Sequence, residues 1–384
     1  MSVAFNPPPR RILVRGVNWL GDAVMTTPAL LRLREKFPAA HLALLTPEKL
    51  ADLWRNHPAI DEIISFTAGE NAFSAGTKIR AGKFDLALVL PNSPRSALEV
   101  FLAGIPQRIG YARPWRNFFL TQAIAPRADA VKMRKLSVAE IKRRTGVAPV
   151  SNIISERPET GATPVLPPTA HQIHEYLHLV AALGANPEPL APRLFVTPEE
   201  IETVKNKFGL EKITEPIFGL NPGAEYGPAK RWPVENFIAA AQEIQQRTNC
   251  VWLIFGGKGD MQLAGRIATE ITHHASRITH LNLAGKTSLR ELMALLKSCR
   301  VLLTNDTGPM HVAAALGTPV VVPFGSTSPE LTGPGLPGDP QNCLLKSAAP
   351  CSPCFLRECP IDFRCMNGIR VGRVVEAVLS ARSG

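Results

Sequence analysis

Residues 304–325 read TNDTGPMHVAAALGTPVVVPFG. The apolar run at 301–303 gives way to Asn-Asp-Thr-Gly-Pro, the chain continues into an alanine-rich stretch of helical texture, and it closes on a second β-rich run. Strand, polar glycine-bearing turn, helix and strand make up the repeating unit of a parallel sheet with crossover helices. The turn at such a strand-to-helix junction is where α/β proteins commonly seat a ligand, although a plain connection would look the same.

Working outward, the unit recurs along the chain. RILVR (11–15), HLALLT (41–46) and FDLALVL (84–90) read as strands, 22–37 as a helix ending before Pro38, and AGIPQRIGYARPWRN (103–117) as loop with one short strand. Helical texture resumes at HQIHEYLHLVAALG, and PEPLAPRLFVTPEE marks passage to a second region with five strand candidates: PIFGL, CVWLIF, HLNLAG, RVLLT and PVVVPF. A chain of 384 residues fits two domains. The reading is α/β, with two doubly wound Rossmann-like domains, 1–190 and 191–384, facing a central cleft. The short helix at 371–380 is placed on either domain, the first included. Residues 131–168 break the pattern, holding TGVAPV and TGATPV as a near-repeat, and are expected to be a mobile insert of the first domain.

Composition narrows the function. With 45% hydrophobic and 20% charged residues the chain is of folded type, and its net charge of +11 favours anionic partners. Nucleic acid is set aside, because the basic residues are scattered and neither an RNP-like aromatic motif nor zinc-finger spacing accompanies them. The start, MSVAFNPPPRR, has no apolar signal core, and no apolar run approaches the roughly 18 residues of a membrane span. The expectation is a cytoplasmic protein that could rest on a membrane through charge.

Four loops carry the chemistry. In GVNWLGD, Gly16 and Gly21 have Walker spacing, but Asp22 stands where the lysine would be and repels phosphate; G-x-G-x-x-G is absent too. An aspartate there can take a proton, orient a hydroxyl, or simply cap the helix. NPGAEYGPAKRWP brings Lys230 and Arg231 to a sheet edge, as phosphate ligands or as solvated surface cations. In FGGKGD, Gly256 and Gly257 let backbone approach a ligand. AGKTS imitates a Walker ending but is better read as a cap, with Ser288 and Glu291 at capping-box spacing. In the opening stretch, Thr307, Gly308 and the amides after them suit a pyrophosphate, Asp306 suits sugar hydroxyls or the cap, and His311 faces the ligand or packs within its helix.

Cys351, Cys354, Cys359 and Cys365 fall within fifteen residues and could supply thiolates to a structural zinc; free thiols are the alternative. His171, His174 and His178 share a helical face, better read as wet or partly packed than as ligands.

Taken together, RGVNWLGDAVMTTPALLRLRE, NPGAEYGPAKRWP, TNDTGPMHVAAALGTPVVVPFGSTSP and CSPCFLRECPIDFRCM resemble glycosyltransferase family 9, and within it the ADP-heptose:lipopolysaccharide heptosyltransferases of type II. The resemblance spans most of the chain except 131–168. It implies a GT-B architecture, acceptor on the first domain and nucleotide sugar on the second. It also implies inverting, metal-independent transfer of heptose from ADP-L-glycero-D-manno-heptose to the heptosylated inner core of lipopolysaccharide at the inner-membrane surface. No cofactor is required on this reading. Asp22 matches the family's proposed general base, Lys230 its phosphate-binding lysine, and Asp306, Thr307 and Gly308 its donor motif. A family member with another donor or acceptor, a sugar-nucleotide epimerase or hydrolase, and a non-catalytic nucleotide-sugar binder are the competing classes; no acceptor-binding residue and no oligomeric state are assigned.

Overall fold

The computed structural model describes residues 5–146, 166–271 and 279–381. From residue 147 onward the near-repeat, TGATPV included, lies outside the described residues. The chain divides into two compact units, one of residues 1–130 and 169–195, the other of 131–168 and 196–384.

The first unit is built on six parallel strands: β1 (Arg11–Arg15), β2 (His41–Pro47), β3 (Glu62–Phe66), β4 (Leu86–Val89), β5 (Gln107–Tyr111) and β6 (Gln122–Ile124). Their order is β3-β2-β1-β4-β5-β6. Central strands such as β4 are buried along their whole length, as a sheet covered on both faces requires, and Leu13, Leu45, Ala87 and Val89 lie in one core cluster. The expected helix at 22–37 is two helices, Leu20–Met25 and Thr27–Lys36. Pro28 has no N–H to continue the first ladder, and the hydroxyls of Thr26 and Thr27 donate back to the carbonyls of Ala23 and Val24.

The second unit repeats the plan with β7 (Ile217–Asn221), β8 (Val251–Ile254), β9 (His280–Asn282), β10 (Leu302–Thr304), β11 (Val320–Phe324) and β12 (Asn342–Lys346). All pairs are again parallel, in the order β12-β11-β10-β7-β8-β9. In each sheet the strand order reverses once, between β1 and β4 and between β7 and β10. At such a switch point the connections leave in opposite directions and open a crevice at the carboxyl ends of the strands. The helix Val371–Ser380 belongs to this second unit rather than the first, with Val374, Val375 and Val378 in its core.

The segment after residue 130 also differs from expectation. Instead of a coreless loop of the first domain, its described part forms the helix Val138–Thr145, capped by the Ser137 hydroxyl accepting from the Glu140 amide. Leu136 and Ile141 are buried against Cys351 and Cys354 in the second unit, and the Leu136 amide donates to the Cys354 carbonyl. Two apolar residues anchor it, too few to read as a period. Ile141→Ala should therefore lower stability by about 2 to 5 kcal/mol in urea unfolding; a mobile loop would show no change.

A second stability test concerns His57, 3% exposed and packed edge-on against Trp54 and Phe195. Burial lowers its pKa from 6.5 to about 4. A depressed histidine pKa means the fold favours the neutral ring, so this contribution is complete above pH 6.5 and is lost as pH falls toward 4. His57→Phe should flatten the decline in melting temperature over that window, while a parallel decline in both proteins would refute it.

Candidate functional site

In the first unit the site grows from the end of β1. Arg15 is buried and ion-pairs with Glu99 of the helix Pro94–Leu102 at 2.8 Å. Its Nη1 also donates to the Gly16 carbonyl and the Asn18 side chain, which pins the GVNWLGD loop. Asp22 is the third residue of the helix Leu20–Met25, whose N-cap is Trp19, with no side-chain cap bond. The capping role open to Asp22 from sequence is thus not the one it takes. Its Oδ1 accepts from the Gln172 amide at 3.2 Å, and the same amide donates to the Tyr176 hydroxyl at 2.9 Å. Burial, and then the Asp22 charge, push the Tyr176 phenol well above its ordinary value, so it stays protonated.

In the second unit the loops after β7 and β10 meet through side chains. Asn305 accepts from the Trp232 amide and donates to the Pro222 carbonyl, fastening one loop to the other. Lys230 then reaches Asp306 at 2.7 Å, and the Thr327 hydroxyl, from the loop after β11, donates to the same Asp306 oxygen at 2.6 Å. Both charged side chains are largely buried, at 14% and 4% exposure. Asp306 thus holds the lysine. Thr307 is the N-cap of the helix Gly308–Ala315, with extended backbone and no side-chain cap bond. The first turn begins at Gly308 and leaves amides for which an anion is a suitable partner.

Other expected residues fall into different roles. His311 is buried within that helix. Arg231 leans toward Asp260 at 3.5 Å, and the Asp260 carboxylate accepts from the Gly257 amide. A Cβ on Gly223 would strike that carboxylate at 2.5 Å, and one on Gly256 would meet the Asp260 Cβ at 2.8 Å. Gly256 therefore makes room for an aspartate of its own loop. Ser288 and Glu291 form the capping box their spacing suggested.

All the cysteines are free thiols, and Cys351, Cys354 and Cys365 are buried. Burial, then neighbouring cysteines, pushes Cys365 up to about 12, and burial likewise raises Cys351 and Cys354, so these sulfurs pack as neutral groups. Among the described residues no three His, Cys, Asp or Glu side chains form a set that could hold a metal. The three histidines diverge: His171 is buried, while His178 stacks on Tyr111 and bonds the Ala125 carbonyl.

Sequence reading missed Gln172, Tyr176, Thr327 and Tyr226. Lys230 Nζ lies 4.9 Å from the Tyr226 ring and the Arg357 guanidinium 5.1 Å, two cations about one aromatic.

Two doubly wound α/β units, each with polar groups gathered at its switch point, define the GT-B class of glycosyltransferases, and comparison with known proteins is specific. The chain belongs to glycosyltransferase family 9 (heptosyltransferase), whose profile matches residues 162–363. It is 32% identical to lipooligosaccharide heptosyltransferase 2 of Haemophilus influenzae over 84% of this chain and 85% of that protein. The solved structure of Escherichia coli ADP-heptose LPS heptosyltransferase II superposes with a TM-score of 0.73 and 26% identity, covering 97% of this chain and 98% of that one. The structure of E. coli heptosyltransferase WaaC with ADP shares the fold at a TM-score of 0.64 and 15% identity, over 97% and 99% of the two chains. Among the described residues no helix is long and apolar enough to cross a membrane.

The pairing of Lys230 with Asp306 makes a test of its own. Lys230→Ala leaves a buried carboxylate without its cation and should destabilise the chain by about 1 to 3 kcal/mol. Adding Asp306→Asn to that variant should recover most of the loss in denaturant unfolding; an additive second loss would contradict the pairing.

Proposed function

We propose that this enzyme transfers heptose, with inversion, from ADP-heptose to the heptosylated inner core of lipopolysaccharide, the first unit receiving the acceptor and the second the nucleotide sugar. The observation that carries the reading is the distribution of charge. The first switch point offers a carboxylate, Asp22, held by the Gln172 amide, whereas the second offers Lys230 and the start of the helix at Gly308.

The chemistry asks for this separation. The acceptor hydroxyl gives its proton to an Asp22 carboxylate oxygen as its oxygen bonds to the anomeric carbon. The bond from that carbon to the diphosphate breaks on the opposite face, and the electron pair leaves with ADP. Negative charge grows on the departing phosphate, where the Lys230 ammonium and the amides at Gly308 stabilise it. Lys230 is held by Asp306, whose same oxygen also accepts from the Thr327 hydroxyl, and an ammonium has three donors to share between that carboxylate and a phosphate. On this reading the protein's own cations serve the leaving group and no metal is assigned to the reaction. The relatives' names support the donor and acceptor, and the net charge of +11 suits work beside an anionic membrane surface.

The test uses ADP-heptose with and without heptosylated lipid A core, product read by mass spectrometry. Transfer that requires the lipid core is expected. Release of free heptose, epimerised sugar nucleotide, or ADP-heptose binding without turnover would each select a competing class. Asp22→Asn should then lower transfer by about 100-fold or more while ADP affinity stays near wild type. Retained turnover in that variant would remove Asp22 from the proposed role.

A further inference from the structure

Residues 131–145, VKMRKLSVAEIKRRT, carry six cations against one carboxylate, Glu140. Leu136 and Ile141 are buried in the cluster with Cys351 and Cys354, and the Thr145 carbonyl accepts from Arg364. The helix Val138–Thr145 is therefore fastened to the second unit at both ends, and these anchors fix which way the rest of it points. At 3.6 residues per turn, Val138, Ala139, Lys142 and Arg143 fall within a sector of about 140° on the side turned away from Ile141. All four are exposed. Glu140 lies on the flank, where it pairs with Arg134 at 2.7 Å and with Arg144 at 2.8 Å. The single acid thus neutralises cations beside the outward sector and none within it. Lys132, Lys135, Lys142 and Arg143 make no ion pair or side-chain hydrogen bond among the described residues.

Charge alone would describe a solvated face, but the apolar side chains do not fit that description. Val131 is 37% exposed, Met133 52% and Val138 47%, interleaved with the free cations. Water gives no return for three aliphatic side chains left among unpaired cations. The interface of an anionic bilayer takes both: headgroup phosphates meet the ammonium and guanidinium groups, and the boundary of the acyl layer accepts the aliphatic tips. Nucleic acid would meet the cations equally well, yet it offers no aliphatic layer, and the segment has no aromatic ring on which a base could stack.

We propose that residues 131–145 form a membrane-docking surface of the second unit, which seats reversibly on an anionic bilayer through its four free cations while Val131, Met133 and Val138 enter the headgroup layer. The surface is coupled to the loops of the second unit. The Leu136 amide donates to Cys354, and the next residue, Phe355, bonds the loops of Thr327 and Lys230 through Ser326 and Tyr226. Docking does not depend on which sugar is transferred, or on whether any is.

The full chain is sedimented with vesicles of phosphatidylcholine alone and of phosphatidylcholine and phosphatidylglycerol in equal parts. Binding to the anionic vesicles only, weakening as salt is raised, is expected. Each lysine or arginine at such a surface contributes about fivefold to partition, so the combined variant Lys132→Gln, Lys135→Gln, Lys142→Gln, Arg143→Gln should bind about 100-fold or more weakly. The pair Met133→Ser and Val138→Ser should lose about tenfold at unchanged charge, which separates seating in a bilayer from attraction to any polyanion. These side chains are exposed, so the melting temperature of both variants should match wild type, and replacing the three lysines by arginine should keep binding. Equal binding to neutral vesicles, or a glutamine variant that binds like wild type, overturns the surface. So does a serine variant with undiminished binding that duplex DNA competes away, which would assign the patch to nucleic acid instead. Turnover tells this surface apart from the reaction. With acceptor dispersed in detergent the glutamine variant should transfer at the wild-type rate, and with acceptor in anionic vesicles its rate should fall about tenfold or more. Vesicle binding without heptose transfer would end the functional reading and leave the docking surface standing; heptose transfer without vesicle binding would do the reverse.

Discussion

All twelve strands among the described residues pair in parallel, and this one constraint places the polar loops. A parallel strand must be followed by a crossover, so every loop leaving a carboxyl end lies on the same edge of its sheet. Where the order reverses, two such loops diverge. Asp22 follows β1 and Asn92 follows β4, on either side of the first reversal; Lys230 follows β7 and Asp306 follows β10, on either side of the second. Residues separated by about seventy positions become neighbours for reasons of connectivity alone.

Within that frame the two units handle charge in opposite ways. At Asp22 the described partner is a neutral amide, steadied by a phenol that burial keeps protonated. At Lys230 the partner is a full carboxylate, so a largely buried cation is compensated. The Thr327 hydroxyl donates to the same Asp306 oxygen, so this carboxylate is shared between an ammonium and a neutral donor.

What the sequence disclosed follows the same physics. The central strands were legible because burial on both faces demands continuous apolar runs, as in VWLI of β8. The three that escaped, EIISF, QAI and NCLLK, are β3, β6 and β12, all edge strands that pair on one side and are only partly buried. Asp22, Lys230 and Gly308 could be singled out as candidates because loop chemistry is local. The pairing of Asp306 with Lys230 was not legible, since an ion pair between positions 230 and 306 leaves no mark on either loop. Gln172 carries no motif at all; only the packing of its helix brings it to Asp22.

The cysteine-rich segment shows how far such coupling extends. Cys351 and Cys354 pack with Leu136 and Ile141 in one buried cluster. The backbone between and beyond them is occupied on the other side: the Ser352 hydroxyl donates to the Gly325 carbonyl, Phe355 N–H to Ser326, Tyr226 O–H to Phe355, and Ala229 N–H to Arg357. Gly227 has no side chain because a Cβ there would fall 2.5 Å from the Arg357 carbonyl oxygen. One strap therefore ties the loop that bears Lys230 to the loop that bears Thr327, and a helix near residue 140 braces the strap from behind. The geometry of a single ammonium group is thus tied to a cysteine-bearing segment more than a hundred residues downstream.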